Sequence, residues 1–420
     1  MRGTRCVLAA AVALALVSGG CTRRKARPET GDIYRRIARP EIWQVLPGSQ
    51  AARAGLVPGD LILVYDSVPV RTNDDVRTAQ ALSADKADSV PLVVLRDGKE
   101  VQVRVAPGPL GCVPVSGKYP SSLAVAIEEI TRGLGRTIDY DWLAALSGES
   151  FTFTAREDLC RSLWPGGKAG VYLDELGRLA GLSFRSVHEA GGNQVSLEAI
   201  RAALAQDRPV LVHGGWPEHR WNFWGVAYRV DPADSVVYGY SLDSAAEMPL
   251  YGPVAEAYTV RPDGLEADPA NITRAVVRQA LELNQVYSDT GWKSGIAAYD
   301  LVIMSLDRVP FCPVCGDESQ GCFDRLVWST LAHRESACRF LEWMKLALSD
   351  QADILDAAIA GNTTVAGMLN GILHSGIHLG SIEDQHKLGI AFGRIQLAEV
   401  DLIGIYDELL GSLGQQFSDQ

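Results

Sequence analysis

Basic residues are scarce in this chain, and long apolar runs are absent beyond its first twenty residues. The 420 residues include 39 Lys and Arg against 51 Asp and Glu, and the formal net charge is −12. A protein that binds nucleic acid needs a basic face for the phosphates, so this balance argues against a nucleic-acid partner. Because no later stretch holds eighteen consecutive apolar residues, the sequence predicts no transmembrane helix after the N-terminal segment.

The first residues are typical of an export signal. Arg2 and Arg5 flank the start of an apolar run over residues 7–17, which is too short to span a bilayer as a helix. The small residues Ser-Gly-Gly then precede Cys21. This arrangement resembles a bacterial lipoprotein signal, in which the cysteine is lipidated after cleavage, whereas plain secretion and an uncleaved anchor are the alternatives.

The expected location follows from that resemblance. We predict a signal peptide over residues 1–20 and a solvated tether over residues 21–31. Lipidation of Cys21 would attach the chain to a membrane of the cell envelope, on the extracytoplasmic side. In a cell with two membranes, this location is the periplasm.

Residues 32–110 form the first predicted domain. A strand is expected at 42–46, and the segment SQAARAGLVPGDLILVYDSVPV follows at 49–70. Asn73 begins a predicted helix, and Asp97-Gly98 is a strong hairpin signal between two predicted strands. The segment at 49–70 resembles the signature of bacterial PDZ domains. That resemblance implies a small β-barrel-like domain.

PDZ domains bind an extended peptide by adding it as a strand to a sheet edge. The resemblance therefore assigns peptide binding to the first predicted strand, through Ile42, Trp43 and Val45. The stretch before that strand, residues 36–40, has no glycine, and Pro40 has no N–H group, so its backbone is poorly suited to capture a carboxylate. Arg39 could supply positive charge instead. The alternative is a PDZ domain that only packs on the next domain.

Residues 111–310 form the second predicted domain, in which helices and strands alternate. Three segments resemble papain-like peptidases, above all bacteriocin-leader peptidases and a butirosin-biosynthesis acyltransferase. They are KYPSSLAVAIEEITRGLG at 118–135, IDYDWLAALSGESFTF at 138–153 and HRWNFWGVAYRV at 219–230. The resemblance implies a papain-like α/β fold with His219 as the catalytic histidine and Asp243 as the residue that orients it.

The cysteine nucleophile of that family is missing, because Lys118 stands where the resemblance places it. A thiolate is a strong nucleophile near neutral pH, whereas an ammonium group is not one unless burial lowers its pKa. Ser121 or Ser122 with His219 as base, Cys112, and Lys118 itself remain alternatives. The favoured interpretation is an inactive enzyme retained as a binding domain.

Three tryptophans lie close together in the sequence, at Trp216, Trp221 and Trp224. Indole rings offer large rigid surfaces and one N–H donor, which suits peptides, sugars or cationic groups. The cluster therefore predicts an aromatic-walled groove. The alternative is that Trp224 belongs to the core and the other two shield it.

Residues 311–420 form a predicted helical tail. The apolar positions repeat at helical spacing in two stretches, namely Ala337, Phe340, Leu341, Met344 and Leu348, and Ile395, Leu402, Tyr406, Leu409 and Leu413. An exported protein favours disulfides over free thiols, so we predict that the tail is stapled by its cysteines. These are Cys312, Cys315, Cys322 and Cys338. A zinc site formed by Cys312, Cys315 and Cys322 with His333 or Cys338 is the alternative.

The sequence thus predicts an α+β multidomain protein with a PDZ domain, a papain-like domain and a helical tail. Its expected function is to bind a peptide or a protein partner in the cell envelope, without a metal or other cofactor. The alternative function is an amide hydrolase or acyltransferase that uses His219 with a non-standard nucleophile.

Overall fold

The computed structural model describes residues 40–415 except for short internal gaps. These gaps are 46–48, 58, 71–72, 87, 97–98, 109, 111, 116–119, 137, 157–158, 160–168, 190–194, 207, 218–222, 243–246, 265–267, 285–291, 307–318, 376 and 378. Within the described ranges, none of the helices combines the length and the apolar character needed to cross a bilayer.

Strands dominate the first half of the chain. They are β1 (Glu41–Val45), β2 (Leu61–Tyr65), β3 (Val68–Pro69), β4 (Val90–Arg96), β5 (Lys99–Val105), β6 (Cys112–Val115), β7 (Thr154–Arg156), β8 (Leu182–Ser186), β9 (Val210–His213), β10 (Trp224–Val230), β11 (Val237–Ser241), β12 (Met248–Leu250), β13 (Glu256–Pro262) and β14 (Trp292–Ser294).

Helices dominate the second half. They are α1 (Gln50–Arg53), α2 (Asn73–Ser83), α3 (Ser122–Gly133), α4 (Tyr140–Leu146), α5 (Ala169–Ala180), α6 (Leu197–Leu204), α7 (Pro269–Leu283), α8 (Ile296–Ser305), α9 (Ser319–Ala347), α10 (Ala352–His374) and α11 (Ile382–Gln415). Short 3₁₀ turns occupy Glu149–Phe151 and Ser349–Gln351.

The first sheet has the strand order β5-β4-β2-β1-β6, with β3 paired to β2. All of its pairs are antiparallel, and its inward-facing residues, among them Ile62, Leu92 and Val94, are buried in one core. Arg96 donates from Nε to Asp60 Oδ1 at 2.7 Å and from Nη2 to Oδ2 at 2.6 Å, so this ion pair links β4 to the start of β2. The sheet continues beyond the predicted boundary at residue 110, because β6 belongs to it.

The second sheet has the order β12-β11-β10-β9-β13-β8, and every pair in it is antiparallel. Both of its faces are covered. Leu211, Trp224 and Val226 share a core cluster with α3, whereas Val210 and Val212 share another with α6. This arrangement explains why β9 is buried at all four positions. The region is therefore mixed α/β.

Three long helices, α9, α10 and α11, form the tail and share a core with the middle region. Most tail residues at predicted helical spacing, such as Phe340 and Tyr406, lie in the same cluster as α3, α4 and α7, whereas Ile395 lies in a second cluster with α8. The predicted apolar faces of α9 and α11 are confirmed. Every predicted position is buried except Leu348, which follows α9 and is partly buried.

A buried ion pair joins two tail helices, and hydrogen bonds from the pair reach the middle region. Arg334 on α9 and Glu399 on α11 are 1% and 2% exposed, and Nη2 lies 2.7 Å from Oε1. Tyr299 on α8 donates to the same carboxylate oxygen at 2.9 Å, and Arg334 Nη1 donates to the carbonyl of Ser150 at 3.3 Å. A charge left unpaired at such depth is strongly destabilising, so this contact holds the helices in one arrangement.

The ring of Trp216 packs against two glycines of the second sheet, Gly225 on β10 and Gly239 on β11. A Cβ atom on Gly225 would lie 2.5 Å from this ring and 2.4 Å from the carbonyl oxygen of Tyr240, and one on Gly239 would lie 2.7 Å from the ring. We expect Gly225→Ala to destabilise the protein by about 1–3 kcal/mol, because the added methyl group overpacks the sheet. The midpoint of urea-induced unfolding measures this change.

The control for that experiment is Gly404→Ala on α11, where a Cβ atom meets nothing within 4 Å. Alanine in a helix interior should be neutral or should stabilise by about 0.5–1 kcal/mol. Equal midpoints for the two variants would contradict the close packing of Trp216 on β10.

Candidate functional site

Strand β1 has no free edge, which corrects the predicted site of peptide binding. On one side, Ile42 N donates to Asp60 O at 2.8 Å, and Ile42 O accepts from Gly59 N at 2.7 Å. On the other side β1 pairs with β6, with Val45 opposite Cys112. The side chain of Ile42 is fully buried in the core. A peptide therefore has no edge to join along Ile42, Trp43 and Val45 while β6 is in place, and Arg39 lies outside the described residues.

Strand β6 ends the sheet on this side, and β5 ends it on the other. The two end strands differ in chemistry. β5 has exposed polar or charged residues, namely Lys99, Glu100, Gln102 and Arg104, and such residues protect an edge from pairing with other chains. β6 has the uncharged sequence Cys-Val-Pro-Val, and proline is tolerated in an end strand. The uncharged edge of the sheet is therefore that of β6, although Pro114 removes one of the donors that an added strand would use.

The loop before β6 is anchored to the core of the same domain. Gly108 has a φ of +96°, and its carbonyl accepts a hydrogen bond from the buried hydroxyl of Tyr65 at 3.1 Å. Leu110 is buried in the core, and its carbonyl accepts from Ala51 N at 2.9 Å. Sequence reasoning took this Pro-Gly-Pro-Leu-Gly segment as a domain boundary.

The two candidate serines have different roles at the start of α3. Ser121 is buried and caps the helix, because its Oγ accepts from Ala124 N at 3.1 Å. Its own N–H donates to the hydroxyl of Tyr140 at 3.0 Å. Ser122 is half-buried, and its Oγ accepts from Trp224 N at 3.1 Å. The first turn of α3 thus lies against the first residue of β10.

A histidine that sequence reasoning missed lies beside the same residue of β10. His213 ends β9 and pairs with Trp224 on one side and Glu256 on the other. Its ring stacks on the indole of Trp224, with the ring centroids 4.6 Å apart and the planes at 11°. Its only signal in the sequence was its position at the end of a predicted buried strand.

Glu256 connects His213 to a tyrosine. His213 Nδ1 lies 3.7 Å from Glu256 Oε1, a distance at which attraction is electrostatic, and Tyr258 donates to Oε2 at 2.7 Å. The neighbouring His213 lowers the pKa of the Glu256 carboxyl. Partial burial raises this pKa, and the hydrogen bond from Tyr258 lowers it further. The carboxylate is therefore held ionised beside the imidazole.

The predicted aromatic groove is not formed by Trp216 and Trp224, because they lie on opposite faces of the second sheet. Trp224 belongs to the cluster that contains α3, and Trp216 to the cluster that contains α6. Both are buried, so the alternative of core tryptophans describes these two side chains. Trp221 lies outside the described residues, as do the predicted catalytic residues His219 and Asp243.

The cysteines of the tail are only partly described. Cys322 and Cys338 lie on one helix, α9, about 24 Å apart along its axis at 1.5 Å per residue. They can neither bond to each other, since a disulfide needs Cα atoms within about 7 Å, nor share one zinc ion, and the same separation argument excludes Cys322 with His333. Cys338 is a free thiol with its Sγ 3.6 Å from Thr363 Oγ1, and burial raises its pKa. Cys21, Cys312 and Cys315 lie outside the described residues.

No metal centre is formed by the part of the chain that the structure describes, in the sense that no three His, Cys, Asp or Glu residues converge there.

Comparison with known proteins identifies the first region. Residues 41–96 match the family of PDZ domains. A protein of Mesorhizobium japonicum named as a zinc metalloprotease is 40% identical over 73 residues, which are 17% of this chain and 19% of that protein. A Synechocystis protein named as the serine protease HhoB is 41% identical over 68 residues, 16% of each chain.

The magnetosome formation protease MamE of Paramagnetospirillum magneticum is 38% identical over 77 residues, which are 18% of this chain and 10% of MamE. The chain spans less than a fifth of the length of these curated relatives. Proteins similar to this chain over about 70 residues are named as proteases. This protein therefore contains a PDZ domain at residues 41–96.

Proposed function

We propose that this protein is an exported, lipid-anchored peptide-binding protein of the cell envelope. Its PDZ domain takes an extended peptide, or a segment of a protein partner, as a further strand beside β6. The observation that carries this proposal is the position of β6, an uncharged end strand behind a glycine-containing loop that is anchored to the domain core.

Peptide addition at this edge uses the backbone of β6. An added strand exchanges N–H and C=O bonds with the strand beside it, so affinity depends on main-chain donors and acceptors. Ile42 bonds to β2, so Pro114 opposite it faces the open side, and Val113 and Val115 face β1. Pro114 has no N–H, so Cys112 carries the outward donor of this strand. The free carboxylate of a peptide would meet the loop around Gly108, whose missing side chain allows close approach to the backbone.

The region after the PDZ domain is proposed to be a papain-like domain without the cysteine mechanism of that family. The resemblance places Lys118, which lies outside the described residues, at the position of the nucleophile, and the half-buried Ser122 begins α3. The second candidate function is an amide hydrolase or acyltransferase. The contact of Ser122 with the first residue of β10 favours it, and the names of the relatives agree with it.

Peptide binding is tested with a library of fluorescent peptides that end in an apolar residue, read by fluorescence anisotropy. Cys112→Pro removes the outward main-chain donor of β6, so we expect binding to weaken at least tenfold, about 1.4 kcal/mol. The control is Gln102→Pro in β5 at the opposite end of the sheet, which should bind as the unmodified protein does. Thermal unfolding of each variant confirms that it is folded.

Two results would contradict the assignment to β6. One is equal binding by the unmodified protein and by Cys112→Pro, and the other is loss of binding in Gln102→Pro alone. A library in which no peptide binds would overturn peptide binding itself. Amidated copies of the bound peptides measure the role of the free carboxylate and should bind more weakly.

The lipid anchor is tested by expression in a bacterial host and mass spectrometry of the mature N-terminus. We expect cleavage before Cys21, a lipid mass on this residue and recovery in the detergent phase. Cys21→Ser should lose the lipid mass and the membrane association. A mature chain that is soluble and unmodified in both forms would show plain secretion instead.

A further inference from the structure

The solvent-facing side of α11 has a regular row of charged and apolar residues, which we call the outward row. Its members follow one another at intervals of three, four or seven residues, so they lie in one line along the helix. All of them are exposed, and they are Lys387, Ile390, Arg394, Leu397, Asp401 and Glu408. We propose that the outward row is the contact surface between two antiparallel copies of this chain.

Large apolar side chains of this helix face are open to solvent. They are Ile390, Leu397 and the neighbouring Val400, which are 48%, 67% and 49% exposed. Single exposed apolar residues are common on protein surfaces, whereas several on one face of one helix form a patch. The exposed Met304 extends this patch onto α8, because it lies one turn after Asp300, which accepts from Gln396 Nε2 at 2.7 Å.

The opposite face of α11 is packed into the protein. Phe392 and Ile395 lie in the core cluster that contains α8 and part of α10, and Leu402 and Tyr406 lie in the cluster that contains α3, α4 and α7. The helix is therefore fixed before any partner arrives. A surface held in this way loses little conformational freedom on association, which favours binding.

The charges of the outward row have opposite signs on the two sides of Leu397. Lys387 and Arg394 precede it, and Asp401 and Glu408 follow it at nearly the same intervals. If a second copy lies antiparallel with the two-fold axis beside Leu397, each Arg394 faces Asp401 of the other copy and each Lys387 faces Glu408. A parallel copy would place each charge against its own kind, so the row selects the antiparallel arrangement.

The central charges of the outward row are available for this contact. Within the part of the chain that the structure describes, no ion pair involves Arg394 or Asp401. Lys387, in contrast, lies 2.8 Å from Glu383 Oε1 and 3.3 Å from Asp384 Oδ1 on its own helix, so it gains less from a partner. Exposed ion pairs add little affinity but fix orientation, so burial of the apolar members drives association and the central charges set the register.

Association through α11 gives the assembly two PDZ domains. The same face of both copies is used, so the contact closes at two chains and leaves no row open for a third. A ligand with two binding segments, joined by a linker that spans both β6 edges, then gains avidity without any new contact. This consequence rests on the proposed function, whereas the dimer does not, so the two can fail separately.

The test is sedimentation equilibrium of the intact protein in a density-matched detergent, which measures the dissociation constant of a dimer whether or not a lipid is attached. We expect a reversible equilibrium between one chain and two. Arg394→Glu and Asp401→Arg should each raise the dissociation constant about tenfold or more, because each places like charges together at two symmetric positions. An equimolar mixture of these variants should associate as the unmodified protein does, since every contact of the mixed dimer joins opposite charges.

The control is Arg261→Glu, which changes the net charge equally at an exposed position on β13 and should leave the dissociation constant unchanged. Circular dichroism confirms that each variant is folded. A protein that stays monomeric at every concentration overturns the proposal, and so do unchanged dissociation constants in both charge variants. A mixture of folded variants that does not associate overturns the antiparallel pairing, and a mass above that of two chains overturns the two-fold symmetry.

Discussion

The pairing of β6 with β1 decides which strand of the PDZ sheet has a free edge. It closes the PDZ sheet with a strand that follows the rest of the domain in sequence, so β1 becomes an interior strand. The free edge then belongs to β6, which ends six residues before Ser121, the cap of α3. A peptide that joins this edge therefore binds close, along the chain, to the first turn of the helix that carries Ser122.

The helical tail stabilises the middle region, which contains the second sheet. Apolar residues of α9 and α11 share one core with α3, α4 and α7, and the buried pair Arg334–Glu399 fixes the two long helices against each other. The second sheet is covered on both faces, so β9, β10 and β13 keep their register. His213, Trp224 and Glu256 are neighbours through that register alone.

Local patterns in the sequence predicted the local structure. Phe340 and Tyr406 are buried because helical spacing places apolar residues on one face, and the PDZ signature at 49–70 lies where the family matches. Pairing between distant strands leaves no such pattern. Cys112–Val115 is short and follows a turn-rich segment, so its place beside β1 could not be predicted. His213 and Glu256 are far apart in sequence, and Trp216 and Trp224 are close, yet the sheet unites the first pair and separates the second.

Hydrogen–deuterium exchange of the intact protein tests the central claim, that β6 is the edge to which a peptide adds. Exchange is compared with and without a peptide selected from the library. The account predicts that the peptide slows exchange in residues 112–115, because the outward amide of Cys112 gains a partner, while residues 99–105 exchange as before. Protection of β5 in place of β6, or exchange in 112–115 that does not change under saturating peptide, would contradict it.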